Sequence, residues 1–187
     1  MKRERIIIFI DGSNFYHSIN DSCELHDNEI DFTELVSNLK GDKLLIGVYY
    51  YHAALDRSYN KEIYSKQRRF FSELRRIPDF HVILCKMRKH MDARGKPRYS
   101  VKGDDIHIAT DMLSGAYEDK YDTAILVSGD GDFVPAIKKV QKLGKKVENA
   151  FFKISSSTYL KEVCNSSVCL DNFIIDCLKN KNQPSVA

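Results

Sequence analysis

No apolar run in this 187-residue chain approaches the ~18 residues that a bilayer crossing requires. The opening MKRERIIIFIDGSN is basic, but only five apolar residues (Ile6 to Ile10) stand together before an aspartate. A secretory leader needs roughly 7–15 such residues and a small-residue cleavage site. A cytoplasmic protein with no membrane partner is therefore expected. The five cysteines form no C-x-x-C pair and have no histidine at zinc-finger spacing, which argues against a disulfide framework and a zinc site. The six histidines show neither H-x-H nor H-E-x-x-H, and no Ser-His-Asp or Cys-His nucleophile set is present. A G-x-x-x-x-G-K-[ST] loop is missing too, which disfavours nucleotide binding of that type. There is no internal repeat and no low-complexity tract. With 43% hydrophobic and 29% charged residues, the chain has the composition of one globular domain.

What is present is unevenly distributed. The net charge is only +3, yet Lys86–Lys102 holds seven Lys/Arg against one acid, Asp92. Such a stretch, with Gly95 and Pro97 inside it, reads as a basic hairpin or loop. It suits a polyanion partner, and a solvated basic hairpin is the plainer alternative.

Five short apolar runs read as strands: Arg5–Ile10, Leu44–Tyr51, Phe80–Cys85, Ala124–Ser128 and Lys146–Phe152. Helical periods lie between them. Tyr59, Ile63, Phe70, Phe71, Leu74 and Ile77 share one face before Pro78; Ile106, Ala109, Leu113 and Ala116 form a second stripe, and Phe133, Ile137 and Val140 a third before Gly144. Asp31–Leu39 opens on a capping aspartate with Glu34 three residues on. Strand–helix alternation with near-continuous apolar strands predicts an α/β fold: a doubly wound, mostly parallel sheet with helices on both faces. Residues 1–179 are read as one domain and 180–187 as a disordered polar tail.

In such a sheet ligands sit outside the carboxyl ends of the strands, and the acids fall there. Asp11 follows the first strand in D-G-S-N, Asp130 and Asp132 follow the fourth in S-G-D-G-D-F, and Asp104 and Asp105 open the Ile106 helix in K-G-D-D. Converging carboxylates repel unless a counterion joins them, and hard oxygens suit Mg²⁺ or Mn²⁺. Taken singly, each aspartate is also a helix cap. Asn14, one turn beyond Asp11, either orients a ligand or serves as a turn residue. Lys102 either binds a phosphate or neutralises Asp104.

The segments FIDGSNFYHSI, KGDDIHIATDML and YDTAILVSGDGDFVPAIKKVQKLGKKVENAFF together resemble the NYN domain of the PIN-like nuclease superfamily, in its LabA-like branch. The closing SSSTYLKEVCNSSVCLDNFIIDCL resembles that branch's last segment, a helix, a short connection and a final helix. The resemblance implies a metal-dependent ribonuclease. By it, Asp11, Asp105, Asp130 and Asp132 hold Mg²⁺ or Mn²⁺, Asn14 accompanies Asp11, and a further family acid falls on Asp111. Asp104 is an additional carboxylate, and Asp105 is preferred to it because a first-turn acid can point away from the site. Arg88, Lys89, Arg94, Lys96, Arg98 and Lys102 would track the RNA backbone without sequence choice. Products would carry 5′-phosphate and 3′-hydroxyl ends, because water rather than the 2′-hydroxyl attacks.

Two rivals stand beside this reading. One is an RNA-binding regulatory module of the same fold with little or no catalysis. The other is a phosphatase of the haloacid-dehalogenase type, which wants D-x-D after its first strand where this chain has Ser13. The reading also leaves room for a homodimer and for a regulatory protein partner.

Overall fold

The computed structural model describes residues 3–55, 60–91 and 97–179, with the backbone alone over 86–91 and 97–102. Seven strands form one sheet in the order β4-β3-β2-β1-β5-β6-β7. The strands are β1 (Arg5–Asp11), β2 (Leu44–Ala54), β3 (Phe80–Met91), β4 (Pro97–Lys102), β5 (Thr123–Val127), β6 (Lys146–Phe151) and β7 (Ser166–Cys169). All neighbours pair in parallel except β3 and β4, which form an antiparallel hairpin. The expected doubly wound sheet is thus the observed one.

Among the described residues six helices connect the strands: α1 (Gly12–Cys23), α2 (Phe32–Lys40), α3 (Lys61–Leu74), α4 (Asp104–Tyr117), α5 (Val134–Lys142) and α6 (Thr158–Val163). Alternation along β1 divides the interior. Ile6, Ile8 and Ile10 pack with Phe15 and Ile19 of α1, Phe32 and Leu35 of α2, and Phe70 and Phe71 of α3. Ile7 and Phe9 face the other way, onto Ile108 and Met112 of α4, Ile137 and Val140 of α5, and Leu160 of α6. A strand buried on both faces has to be apolar throughout, which is why RIIIFI carries no alternation. Among the described residues no helix is long and apolar enough to cross a membrane.

Three expectations need correction. The expected α4 stripe is split: Ile106 is 71% and Leu113 37% exposed, while Ala116 is buried and Ala109 packs on the core beside Ile108 and Met112, which carry the buried face. Tyr121 packs on that face. Its hydroxyl donates to the Met112 carbonyl at 2.5 Å, and its ring lies where a Cβ on Gly115 would come within 2.9 Å. On α3, Ile63 is 45% exposed, because the helix meets the sheet through Phe70, Phe71 and Leu74; Tyr59 lies outside the described residues. The closing segment is not two helices around a connection. After α6 it forms the edge strand β7, and then two short 3₁₀ turns, Leu170–Asn172 and Ile174–Cys177.

Strand order fixes where a site can form. The chain leaves β1 toward β2 and β3, then returns through α4 to β5 on the opposite side of β1. The crevice outside the carboxyl ends of β1 and β5 is the switch point, where helices diverge to opposite faces.

Candidate active site

Asp11 is the last residue of β1 and the N-cap of α1, accepting the Asn14 amide at 2.9 Å. Its other oxygen accepts from the Ser128 hydroxyl, just past β5, at 3.0 Å, so one carboxylate ties the two central strands together. Ser128 is also used from behind, since its Oγ accepts the Asp130 amide at 3.1 Å. Asp130 in turn caps the 3₁₀ turn Gly131–Phe133 by accepting the Asp132 amide at 2.9 Å. Asn14 bridges the same gap, its Oδ1 accepting the Gly129 amide at 3.0 Å. No acceptor takes its Nδ2 among the described residues, which leaves that amide free to donate outward. On the far side Asn149 of β6 donates to the Ser128 carbonyl at 2.8 Å, pinning the start of the loop.

Two glycines allow this closeness. A Cβ on Gly12 would lie 2.6 Å from the Tyr51 carbonyl oxygen and from the Tyr50 ring. One on Gly129 would lie 2.0 Å from the Ser155 carbonyl oxygen. Neither distance is compatible with a side chain, so in D-G-S-N and S-G-D the glycine is dictated by backbone approach and not by a turn conformation.

The third acidic group arrives on α4. Asp104 is 9% exposed and accepts from the Ser13 hydroxyl at 3.3 Å, so it turns inward rather than away. Asp105 is its half-buried neighbour. The electrostatics show that these groups share one field. Burial, reinforced by the charges of Asp105 and Asp104, lifts the Asp11 carboxyl to about 6 against the stabilising bonds from Asn14 and Ser128. Burial, then Asp104, Asp130 and Asp132, lift Asp105 to about 6. Burial and the charges of Asp104, Asp105 and Asp11 hold the Cys85 thiol up at about 11, so it is no nucleophile near neutrality.

Acids on three separate elements thus meet at the switch point, and no described cation pairs with any of them. The model of the NYN domain family matches residues 5–171. The chain belongs to the NYN domain family. A crystal structure of a protein of unknown function from Vibrio parahaemolyticus is similar over 93% of this chain and 99% of that one, with 26% identity and a TM-score of 0.74. No curated protein matches. At family level this NYN domain is of the nuclease type.

Within this NYN domain the sequence-derived residues do not all converge. Asp11, Asn14, Asp104, Asp105, Asp130 and Asp132 lie together. Asp111 does not join them. It accepts from the Tyr51 hydroxyl at 2.8 Å and is not among the charges that raise Asp11 or Asp105. Arg88 and Lys89 fall on β3 and Arg98 and Lys102 on β4, in a hairpin whose base pairs Lys86 with Lys102 and leads directly into α4. Arg94 and Lys96 lie outside the described residues. Among the described residues no three Asp, Glu, His or Cys side chains are grouped closely enough to hold a metal ion by themselves.

The sequence motifs do not single out Ser128 or Ser13 as site residues. Each bonds an acid of the cluster, and the signal was available in the serines adjoining the glycines of S-G-D and D-G-S.

Proposed function

We propose that this NYN domain is a metal-dependent ribonuclease, in which Asp11, Asp105, Asp130 and Asp132 hold Mg²⁺ or Mn²⁺ and Asp104 adds charge to the cluster. The observation that carries the reading is the meeting at one crevice of acids from β1, α4 and the loop after β5, where burial first and neighbouring carboxylates second raise Asp11 and Asp105 and no described cation pairs with them. Hard carboxylate oxygens in repulsion fit a divalent cation. Since no three described side chains would cage an ion by themselves, a bound cation would keep much of its water, as Mg²⁺ usually does when held by one or two carboxylates plus substrate phosphates. When bound, such an ion supplies charge neutralisation and a more acidic water at the phosphodiester.

The chain's own groups perform the rest. Ser128 and the Asn14 amide hold Asp11 in one orientation, which keeps its carboxylate ready without reorganisation. The outward Nδ2 of Asn14 is placed to donate to a phosphate oxygen or to the attacking water. The β3–β4 hairpin, with Arg88, Lys89, Arg98 and Lys102, adjoins the site through Gly103 and supplies sequence-independent affinity for the backbone. The reading extends to the LabA-like branch of the PIN-like nucleases, supported by the ordered motifs D-G-S-N, K-G-D-D and S-G-D-G-D. Five free cysteines support a cytoplasmic setting.

The spacing of the acids favours one alternative, an RNA-binding module of the same fold without turnover. End-labelled single-stranded RNA incubated with Mn²⁺ or Mg²⁺ decides between them. Cutting to 5′-phosphate ends that is lost with EDTA and in Asp130→Asn is the expected result. Binding without cutting under either metal overturns the ribonuclease and leaves the module.

A further inference from the structure

Beside Asp132 a groove of about 550 Å³ opens between α5 and α6, lined by Gly131, Asp132, Val134, Pro135, Lys138 and Tyr159. Its volume lies in the range that bound ligands occupy. Asp132 brings an acid of the cluster to this lining, and Val134 and Pro135 bring apolar side chains. Tyr159 also lines it, 52% exposed, and its hydroxyl accepts from Lys138 Nζ at 2.8 Å while the same ammonium stands 5.1 Å from the ring centroid. Lys138 has no carboxylate partner among the described residues, unlike Lys43, Lys145 and Lys146.

A lining that combines an acid of the cluster, apolar side chains, an exposed aromatic ring and an ammonium with no described carboxylate partner offers a counterpart to each part of a nucleotide. We propose that this groove seats the nucleotide flanking the scissile phosphate of single-stranded RNA, its base stacked on Tyr159 and its phosphate held by Lys138. The inference rests on the ribonuclease reading and adds a selection for unpaired strands. A base within a duplex has both faces covered by its neighbours, so only an unpaired base can stack on the tyrosine. Stacking of this kind tolerates any base, since every base has a π-face.

The chain contains no tryptophan, so Tyr159→Trp creates a single indole that reports on the groove alone. The experiment titrates Tyr159→Trp, in an Asp130→Asn background that leaves RNA uncut, with a ten-nucleotide oligoadenylate, free or annealed to oligouridylate. Saturable quenching by the free strand and little by the duplex is expected. In the same background, followed by anisotropy of labelled oligoadenylate, Tyr159→Ala weakens binding about 5- to 100-fold and Tyr159→Phe restores most of the loss. Tyr159 is a surface residue of a short helix, so these variants keep the fold. Unchanged affinity in Tyr159→Ala together with an unquenched indole overturns the groove, while cutting of RNA by the otherwise wild-type Tyr159→Ala protein keeps the ribonuclease. Equal quenching by strand and duplex overturns the selection for unpaired RNA. A protein that neither binds nor cuts RNA ends both readings.

Discussion

At the amino end of β1 the acids are answered by cations. Arg5 holds Asp122 at 2.7 Å and Asp119 at 3.0 Å, Lys145 also reaches Asp119, Lys146 meets Glu4 at 3.3 Å, and Lys43 meets Glu148 at 2.6 Å. The Arg5 bonds draw Asp122 down to about 2, and Lys145 and Arg5 lower Asp119. At the carboxyl end of the same strand Asp11 is 4% exposed, meets among the described residues only hydroxyl, amide and like charge, and stands at about 6. The chain does not lack cations, with 29 Lys/Arg against 26 acids. One end of the sheet is arranged for cohesion, and among the described residues the other leaves its charge without a cation, at some expense to stability. Such a cost persists where an incoming cation or a substrate supplies the missing partner.

The largest effect that tests this contrast is catalytic. Asp11→Asn keeps the α1 cap, because asparagine caps as well as aspartate, but removes a charge from the cluster. Metal-dependent RNA cleavage is expected to drop about 10²-fold or more, the scale of losing one preorganised electrostatic group. Asp122→Asn, at the cohesive end, leaves the cleavage rate within about two-fold. Equal losses from the two substitutions, measured as kcat/KM on one labelled RNA, would show that the two ends are not functionally distinct.

Stability is expected to move in opposite directions. Asp11 binds its proton more tightly in the fold than in the unfolded chain, so without metal the protein loses stability as pH rises from about 4 to about 6. The cost carried at pH 8 is at most about 3 kcal/mol. Asp11→Asn therefore gains about 1–3 kcal/mol at pH 8 in EDTA, and added Mg²⁺ or Mn²⁺ stabilises the wild type but not the variant. Asp122 runs the other way. Its contribution is present above about 4 and is lost as pH falls toward 2. Being partly exposed, it yields no more than about 1 kcal/mol on Asp122→Asn, whatever the metal. Urea melts at pH 8 with and without Mg²⁺ measure both. A destabilised Asp11→Asn would mean that its bonds to Ser128 and Asn14 outweigh its repulsion.

These contrasts also explain what could be read in the sequence. The five strands read from apolar runs are legible because both faces of a central parallel strand are buried, leaving no alternation to blur the signal. The strand β7 is not legible, since Ser166, Ser167 and Val168 are exposed on an edge and the run is four residues long. The phase of α4 misleads for a related reason. Ile106 and Leu113 are as apolar as Ile108 and Met112, and long-range contacts, among them the Tyr121 bond to the Met112 carbonyl, accompany the face that is buried. In the site, the acids stand out because they follow strands. The inward turn of Asp104 does not, because it depends on Ser13, 91 positions away in sequence.

Asp111 supplies the smallest and sharpest test. It follows Asp105 by six residues, about 9 Å along the helix, and the resemblance assigns it to the family's acids, while the structure gives its carboxylate to the Tyr51 hydroxyl. Burial and this carboxylate push the tyrosine's proton loss far above neutrality, so Tyr51 remains a donor throughout. Asparagine can accept the same bond through its carbonyl oxygen. Asp111→Asn is thus expected to cleave RNA within about two-fold of wild type, while Asp111→Ala leaves the hydroxyl without its partner and costs about 1 kcal/mol in a urea melt. Should Asp111→Asn instead lose activity on the scale of Asp11→Asn with its melt unchanged, the unneutralised end of the sheet would extend along α4 to include Asp111, and the Tyr51 bond would be its positioning contact.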